Sequence, residues 1–245
     1  MYEWEKESDI MAEFLSGIGA FLLYLLPLAL ILLALRIFTK VPDELFRKLL
    51  HFVLLGAYVP FLFGFAKWWH CVAFIVGFGV ILFPTLKLLA KVNGFSSFVN
   101  ERKNGEFTGS MLLALGVMAV SISIGWGIFS DKYIVLASVY VWGVGDGFAA
   151  LIGKRYGKHK IKWSFVDNKK SFEGSFAMLI TSAIAVFTVL MLRGGIAPLW
   201  CVLVALLAAS ASTFMELCSK GGVDTVTCPA VSMLIIVPFV ELLGG

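Results

Sequence analysis

Runs of roughly twenty apolar residues, recurring eight times, limit what this chain can become more than any motif does. A helix rises 1.5 Å per residue, so crossing about 30 Å of hydrocarbon takes roughly 20 residues. Runs of that reach, bounded by charge or by Pro and Gly, occur at about 15–38, 45–66, 69–86, 109–129, 133–153, 172–192, 197–217 and 229–243. The second is free of charge only over 52–66 and needs the amphipathic stretch before it to cross, so seven to eight spans are expected. The expectation is an all-α, polytopic membrane protein forming a single integral domain over 1–245, preceded by a short polar segment, 1–14. Composition excludes the alternatives. With 60% hydrophobic and 15% charged residues, the chain exceeds what one soluble core absorbs, about 45–50% apolar and 25% charged being usual. Its 22 Phe and 7 Trp exclude disorder.

The first run is too long for a cleaved signal peptide, and Glu3, Glu5, Glu7, Asp9 and Glu13 make its flank acidic. Cations alternate between the connections. The odd-numbered ones carry Lys40, Arg47 and Lys48; then Lys87, Lys91, Arg102 and Lys103; then Lys154, Arg155, Lys158, Lys160, Lys162, Lys169 and Lys170; then Lys220. The even-numbered ones carry only Lys67, Lys132 and Arg193. The positive-inside rule puts the first set in the cytoplasm and both termini outside. The second, fourth, sixth and eighth helices then begin at the cytoplasmic face, where unpaired N–H groups can receive an anion. Cys71, Cys201, Cys218 and Cys228 fit neither zinc spacing nor a disulfide framework.

The informative residues are the polar ones kept at or within the spans, because each is costly in lipid. Asp146 stands inside the fifth span, flanked by Gly143, Gly145 and Gly147. Three glycines weaken a helix, which suggests a local break or close approach by another backbone or a phosphate. Small-residue helix packing is the blander reading. Seven cations follow within 154–170. Headgroup attraction accounts for Lys158, Lys160 and Lys162. Lys169 and Lys170 immediately precede a helix with Ser171 as its N-cap, so charge and helix terminus act on one point, as a polyphosphate requires. Arg47 and His51 share a helix face beside Lys48, and Arg102 and Glu106 stand at the entrance of the fourth span. Glu216 and Asp224 precede Pro229, read as a first-turn residue of the last helix. Glu106, Asp146, Glu216 and Asp224 offer the oxygen ligands that Mg²⁺ or a similar divalent cation prefers. The combination suits phosphoryl or nucleotidyl transfer. No Walker A, kinase glycine loop or GxGxxG is present.

At these motifs the chain resembles the polyprenol, phytol and diacylglycerol kinase family, CTP-dependent in its dolichol, phytol and fungal diacylglycerol branches and related to phosphatidate cytidylyltransferases. Arg47-Lys48-Leu49-Leu50-His51 resembles the family's R-K-x-x-H. The stretch 145–157 is similar to G-D-x-x-A-x-x-x-G-[RK]-x-x-G, and 170–175 to K-[ST]-x-E-G-[ST]. Glu216 with 224–229 is similar to E-x(n)-D-N-x-x-x-P, with Thr225 where Asn is usual.

The resemblance implies a membrane lipid-alcohol kinase passing the γ-phosphoryl group of CTP to a polyprenol, phytol-like alcohol or diacylglycerol at the cytoplasmic interface. Catalysis would fall to Asp146, Lys170 and Glu106. Nucleotide binding would fall to Arg155, Lys154, Lys169, Lys170, Ser171, Gly174, Asn168 and Arg102. Mg²⁺ would be held by Asp146 with Asp224 or Glu216; Arg47, Lys48, His51, Glu173, Gly145 and Gly147 complete the set. The expected partners are a nucleoside triphosphate, the lipid alcohol and membrane lipids, with no nucleic acid. A CDP-lipid synthase is the nearest rival, although the chain lacks that branch's H-G-G-x-x-D-R-x-D ending. A transporter with a midplane ion site is the distant one.

Overall fold

A computed structural model of the protein describes residues 2–91, 106–163, 166, 170–219 and 222–244, with side chains left aside at 2–9 and 106. Among these residues there is no strand, only an isolated antiparallel bridge between Lys160 and Ser171. Eight helical stretches are long and apolar enough to cross a membrane: Ile10–Phe38, Asp43–Gly64, Trp68–Leu89, Phe107–Ile128, Lys132–Tyr156, Phe172–Arg193, Pro198–Cys218 and Asp224–Leu243. They match the eight apolar runs, the weak second one included. The chain divides into two compact units, Met1–Ser123 and Ile124–Gly245.

The first unit holds α1 (Tyr2–Phe38), α2 (Asp43–Gly56), α3 (Tyr58–Gly64), α4 (Trp68–Leu89) and α5 (Glu106–Ile122). The polar segment expected over 1–14 is helical from Tyr2 onward, as the first turns of α1. The second span is interrupted at Ala57, between α2 and α3. Pro60 explains this: lacking an N–H, it cannot bond the Gly56 carbonyl, while Ala57 stays close to helical dihedrals (φ −63°, ψ −20°). Rings from three helices form the core, Phe21 stacking on Phe61 with centroids 4.7 Å apart and meeting Phe74 at 5.4 Å. Helices α4 and α5 leave an apolar cleft of about 410 Å³, lined by Ile75, Gly79, Phe83, Leu112, Leu115 and Gly116 among others.

A π-helical turn, Ser123–Ile128, leads into the second unit. There α6 (Lys132–Tyr156), α7 (Phe172–Arg193), α8 (Pro198–Cys218) and α9 (Asp224–Leu243) form an antiparallel four-helix bundle. Helix α6 packs on α7 and α9, and α8 closes the ring between them. Six consecutive residues of α6, Ile134 to Val139, are buried, so this helix is enclosed on all sides early in its course. The terminal signals read from sequence hold at α7, where the Ser171 hydroxyl accepts the Gly174 N–H at 3.3 Å. They need correction at α9. Pro229 is the sixth residue of that helix rather than a first-turn one, because the helix starts at Asp224 and proline forfeits only the bond to the Thr225 carbonyl.

Candidate active site

The motif around Asp146 resolves into two neighbouring stripes on α6. Gly145, Ala149 and Gly153 recur every four residues and therefore share one face. A Cβ built on Gly145 would come within 2.2 Å of the Ser182 hydroxyl and 2.8 Å of Met178, both on α7. One on Gly174 of α7 would reach the Ala149 carbonyl at 2.9 Å and the Gly153 Cα at 3.2 Å. Ser182 reinforces the seam by donating to the Val141 carbonyl at 2.5 Å. These glycines therefore serve close helix packing. Of the alternatives read from the sequence, the close approach of another helix holds and the local break does not: α6 runs unbroken to Tyr156, with α7 in the space that missing side chains leave. Gly147 is buried as well.

The second stripe carries the polar groups. Trp142 and Asp146 lie four residues apart on one face, and both are half-buried. The indole N–H of Trp142 donates to the Asp224 carboxylate, 3.4 Å away, at the start of α9. Asp146 and Asp224 both act electrostatically on Glu216, in the last turn of α8. The countercharge is Lys170, whose ammonium is 2.9 Å from Oε1 of Glu216. It also donates to the main-chain carbonyl of Glu216 and to that of Ser219, the latter at 3.3 Å. Lys170 and Glu216 keep side-chain exposures of 19% and 12%. Among the described residues, Asp146, Glu216, Asp224 and Lys170, brought from four elements, thus share the end of the bundle where α7 and α9 begin and α8 stops.

Lys170 is aimed by the segment before α7. Ile161 N–H donates to the Lys170 carbonyl and Phe172 N–H to that of His159, at 3.1 and 3.0 Å. Glu173 locks the turn: its carboxylate accepts the N–H groups of Lys158 and His159, each at 3.2 Å, and lies 2.7 Å from the His159 ring nitrogen. In sequence Glu173 reads as part of a binding motif; in the fold it holds the loop that carries Lys170.

The other expected residues distribute as follows. Lys154 and Arg155 are exposed in the last turn of α6, Arg155 lying 5.3 Å over the Tyr156 ring; cations there also complement the helix dipole. Ser171 is buried as the cap of α7. Gly174 is spent on the α6 contact. Arg47, Lys48 and His51 belong to the first unit, where Arg47 pairs with Glu44 at 2.5 Å, Lys48 is 4% exposed and His51 is half-buried. Arg102, Asn168 and Lys169 lie outside the described residues, and Glu106 is described only by its backbone, at the start of α5.

The donor set suits Mg²⁺, which is usually held by one or two carboxylates together with substrate phosphate oxygens. Among the described residues no three His, Cys, Asp or Glu side chains close on a metal by themselves.

Two features escaped the sequence. The Trp142 contact was signalled by its position one turn before Asp146. The Lys170–Glu216 pair joins residues 46 apart in the chain, and no local pattern reports it.

No family model matches the chain, and no solved structure does. It is similar to the phytol kinase of Synechocystis sp., with 30% identity over 197 residues, covering 79% of this chain and 78% of that protein.

Proposed function

The chain belongs to the phytol kinase family, and from that premise we propose that this membrane lipid-alcohol kinase transfers the γ-phosphoryl group of CTP, or of another nucleoside triphosphate, to a phytol-like isoprenoid alcohol. The observation that carries the reading is the gathering of Asp146, Glu216, Asp224 and Lys170 at one end of a transmembrane bundle. Ionisable groups are retained at such depth where they act, and phosphoryl transfer needs mainly positioning and charge neutralisation. The alternation of cations along the sequence supports a cytoplasmic orientation for this end.

The nucleotide phosphates would be received by the N-terminus of α7 and by Arg155 and Lys154 at the adjoining end of α6. Lys169, Asn168 and Arg102 remain part of the proposed phosphate-binding set. Asp146, with Asp224 or Glu216, would hold Mg²⁺, which when bound neutralises charge on the phosphate oxygens. Asp146, half-buried one turn past Trp142, orients the lipid hydroxyl and takes its proton, with Glu106 the other candidate base. The hydroxyl oxygen bonds to the γ-phosphorus as the bond to the β–γ bridging oxygen breaks. A lipid phosphate and a nucleoside diphosphate leave.

Purified protein in lipid nanodiscs, given labelled CTP, ATP, GTP or UTP with phytol, geranylgeraniol, polyprenol or diacylglycerol, tests this directly. The expected outcome is CDP and an isoprenoid phosphate. Release of pyrophosphate from a lipid phosphate would identify a cytidylyltransferase instead. Preferential turnover of diacylglycerol would move the acceptor class.

A further inference from the structure

Lys170 carries three N–H groups and meets three acceptors. They are Oε1 of Glu216 at 2.9 Å, the main-chain carbonyl of Glu216, and the carbonyl of Ser219 at 3.3 Å. A lysine ammonium has no fourth donor. Both carbonyls stand at the C-terminal end of α8, the negative pole of that helix, so the ammonium meets a carboxylate and a helix end together. Its carbonyl accepts the Ile161 N–H, and the residue after it, Ser171, caps α7. The side chain is thus delivered to Glu216 by a fixed segment.

From this geometry we infer that Lys170 is a positioning residue, acting on the reaction through Glu216 and the end of α8 rather than by contact with the nucleotide phosphates. The inference rests on the functional reading above and assigns Lys170 a different part in it. A lysine beside a helix N-terminus ordinarily reads as a phosphate ligand; here its donors are spent on α8. Lys170 fixes the direction of the Glu216 carboxylate and offsets the repulsion that Asp146 and Asp224 exert on it. Phosphate binding then falls to the remaining cations and to the positive pole of α7.

A double-mutant cycle between Lys170→Met and Glu216→Gln tests this in nanodiscs, with kcat, the dissociation constant of labelled CTP and the unfolding midpoint read for each variant. Removing a group that orients a ligating side chain typically costs 10–100-fold. Lys170→Met is therefore expected to lower kcat by about 10–100-fold, leave CTP affinity within about twofold, and add nothing further in the Glu216→Gln background. Loss of CTP affinity by tenfold or more, multiplying with the Glu216→Gln effect, would overturn the inference. Should Lys170→Met fail to insert, Lys170→Arg carries the test. A planar guanidinium cannot serve the same three converging acceptors but binds phosphate well. Lowered kcat with unchanged CTP affinity supports the positioning role, and full kcat with equal or tighter CTP binding refutes it. If the wild-type protein binds no nucleotide at all, the functional reading fails separately. The inference is then judged on the unfolding midpoints, where non-additive losses support it and additive losses overturn it.

Discussion

The two ends of the α6–α9 bundle are built from similar materials to opposite effect. Where α7 ends, Arg193 pairs with Asp131 at 2.5 Å and donates to the carbonyls of Gly194 and Gly244, at 3.1 and 3.2 Å. Asp131 also caps α6, accepting the N–H groups of Tyr133 and Ile134 at 2.7 and 3.3 Å. One ion pair thus ties together the start of α6, the end of α7 and the end of α9, with its charges balanced. Where α7 begins, Glu216 feels Lys170 as an attractive partner and Asp146 and Asp224 as repelling ones. Among the described residues, these three carboxylates gather there around the Lys170 ammonium. A pair that satisfies itself closes a bundle; carboxylates gathered half-buried around an ammonium mark the end where a ligand would act.

The largest departure should come from Asp146→Asn. The amide keeps the size of the side chain but removes its charge and basicity, so lipid phosphorylation is expected to fall about 10²–10⁴-fold. The unfolding midpoint in detergent should stay close to wild type. Wild-type-like turnover would erase the distinction between the two ends. The converse variant, Arg193→Ala, should leave kcat per folded molecule within about twofold and act on stability. Both partners keep some exposure, 17% and 12%, so the loss is expected to reach about 3 kcal/mol, the low end for opening a buried pair. A variant that kept its unfolding midpoint but lost activity would show that the closed end also serves the chemistry.

How far each end was legible in the sequence follows from the same contrast. Lipid imposes length and polarity on every span, so all eight were visible. Asp146 stood out because a carboxylate inside an apolar run is costly. The glycines beside it left a break and a close helix approach both open: that Gly145 meets Ser182 and Met178 of another helix is something no pattern within α6 reveals. The Asp131–Arg193 latch went unnoticed for a related reason. Arg193 is the one charge of its connection and Asp131 is followed at once by Lys132; 62 positions separate the partners, and charges so sparse read only as topology. Glu173 was legible as part of a motif but not as the anchor of the loop before α7, since its partners at 158 and 159 become neighbours only after that loop turns back.

The smallest and most discriminating effect is expected from Trp142→Phe. The aromatic body remains, so packing between α6 and α9 should be largely kept, and what disappears is the indole N–H donated to Asp224 at 3.4 Å. A single bond of that length to a carboxylate is worth about 1 kcal/mol, or roughly fivefold in rate. If Asp224 helps hold the divalent cation, the loss should appear as a higher Mg²⁺ requirement at fixed nucleotide, and saturating Mg²⁺ should restore most of the rate. A Mg²⁺ dependence unchanged from wild type, with activity lower at every concentration, would remove Asp224 from the cation site. The proposed cation site would then rest on Asp146 and Glu216 alone.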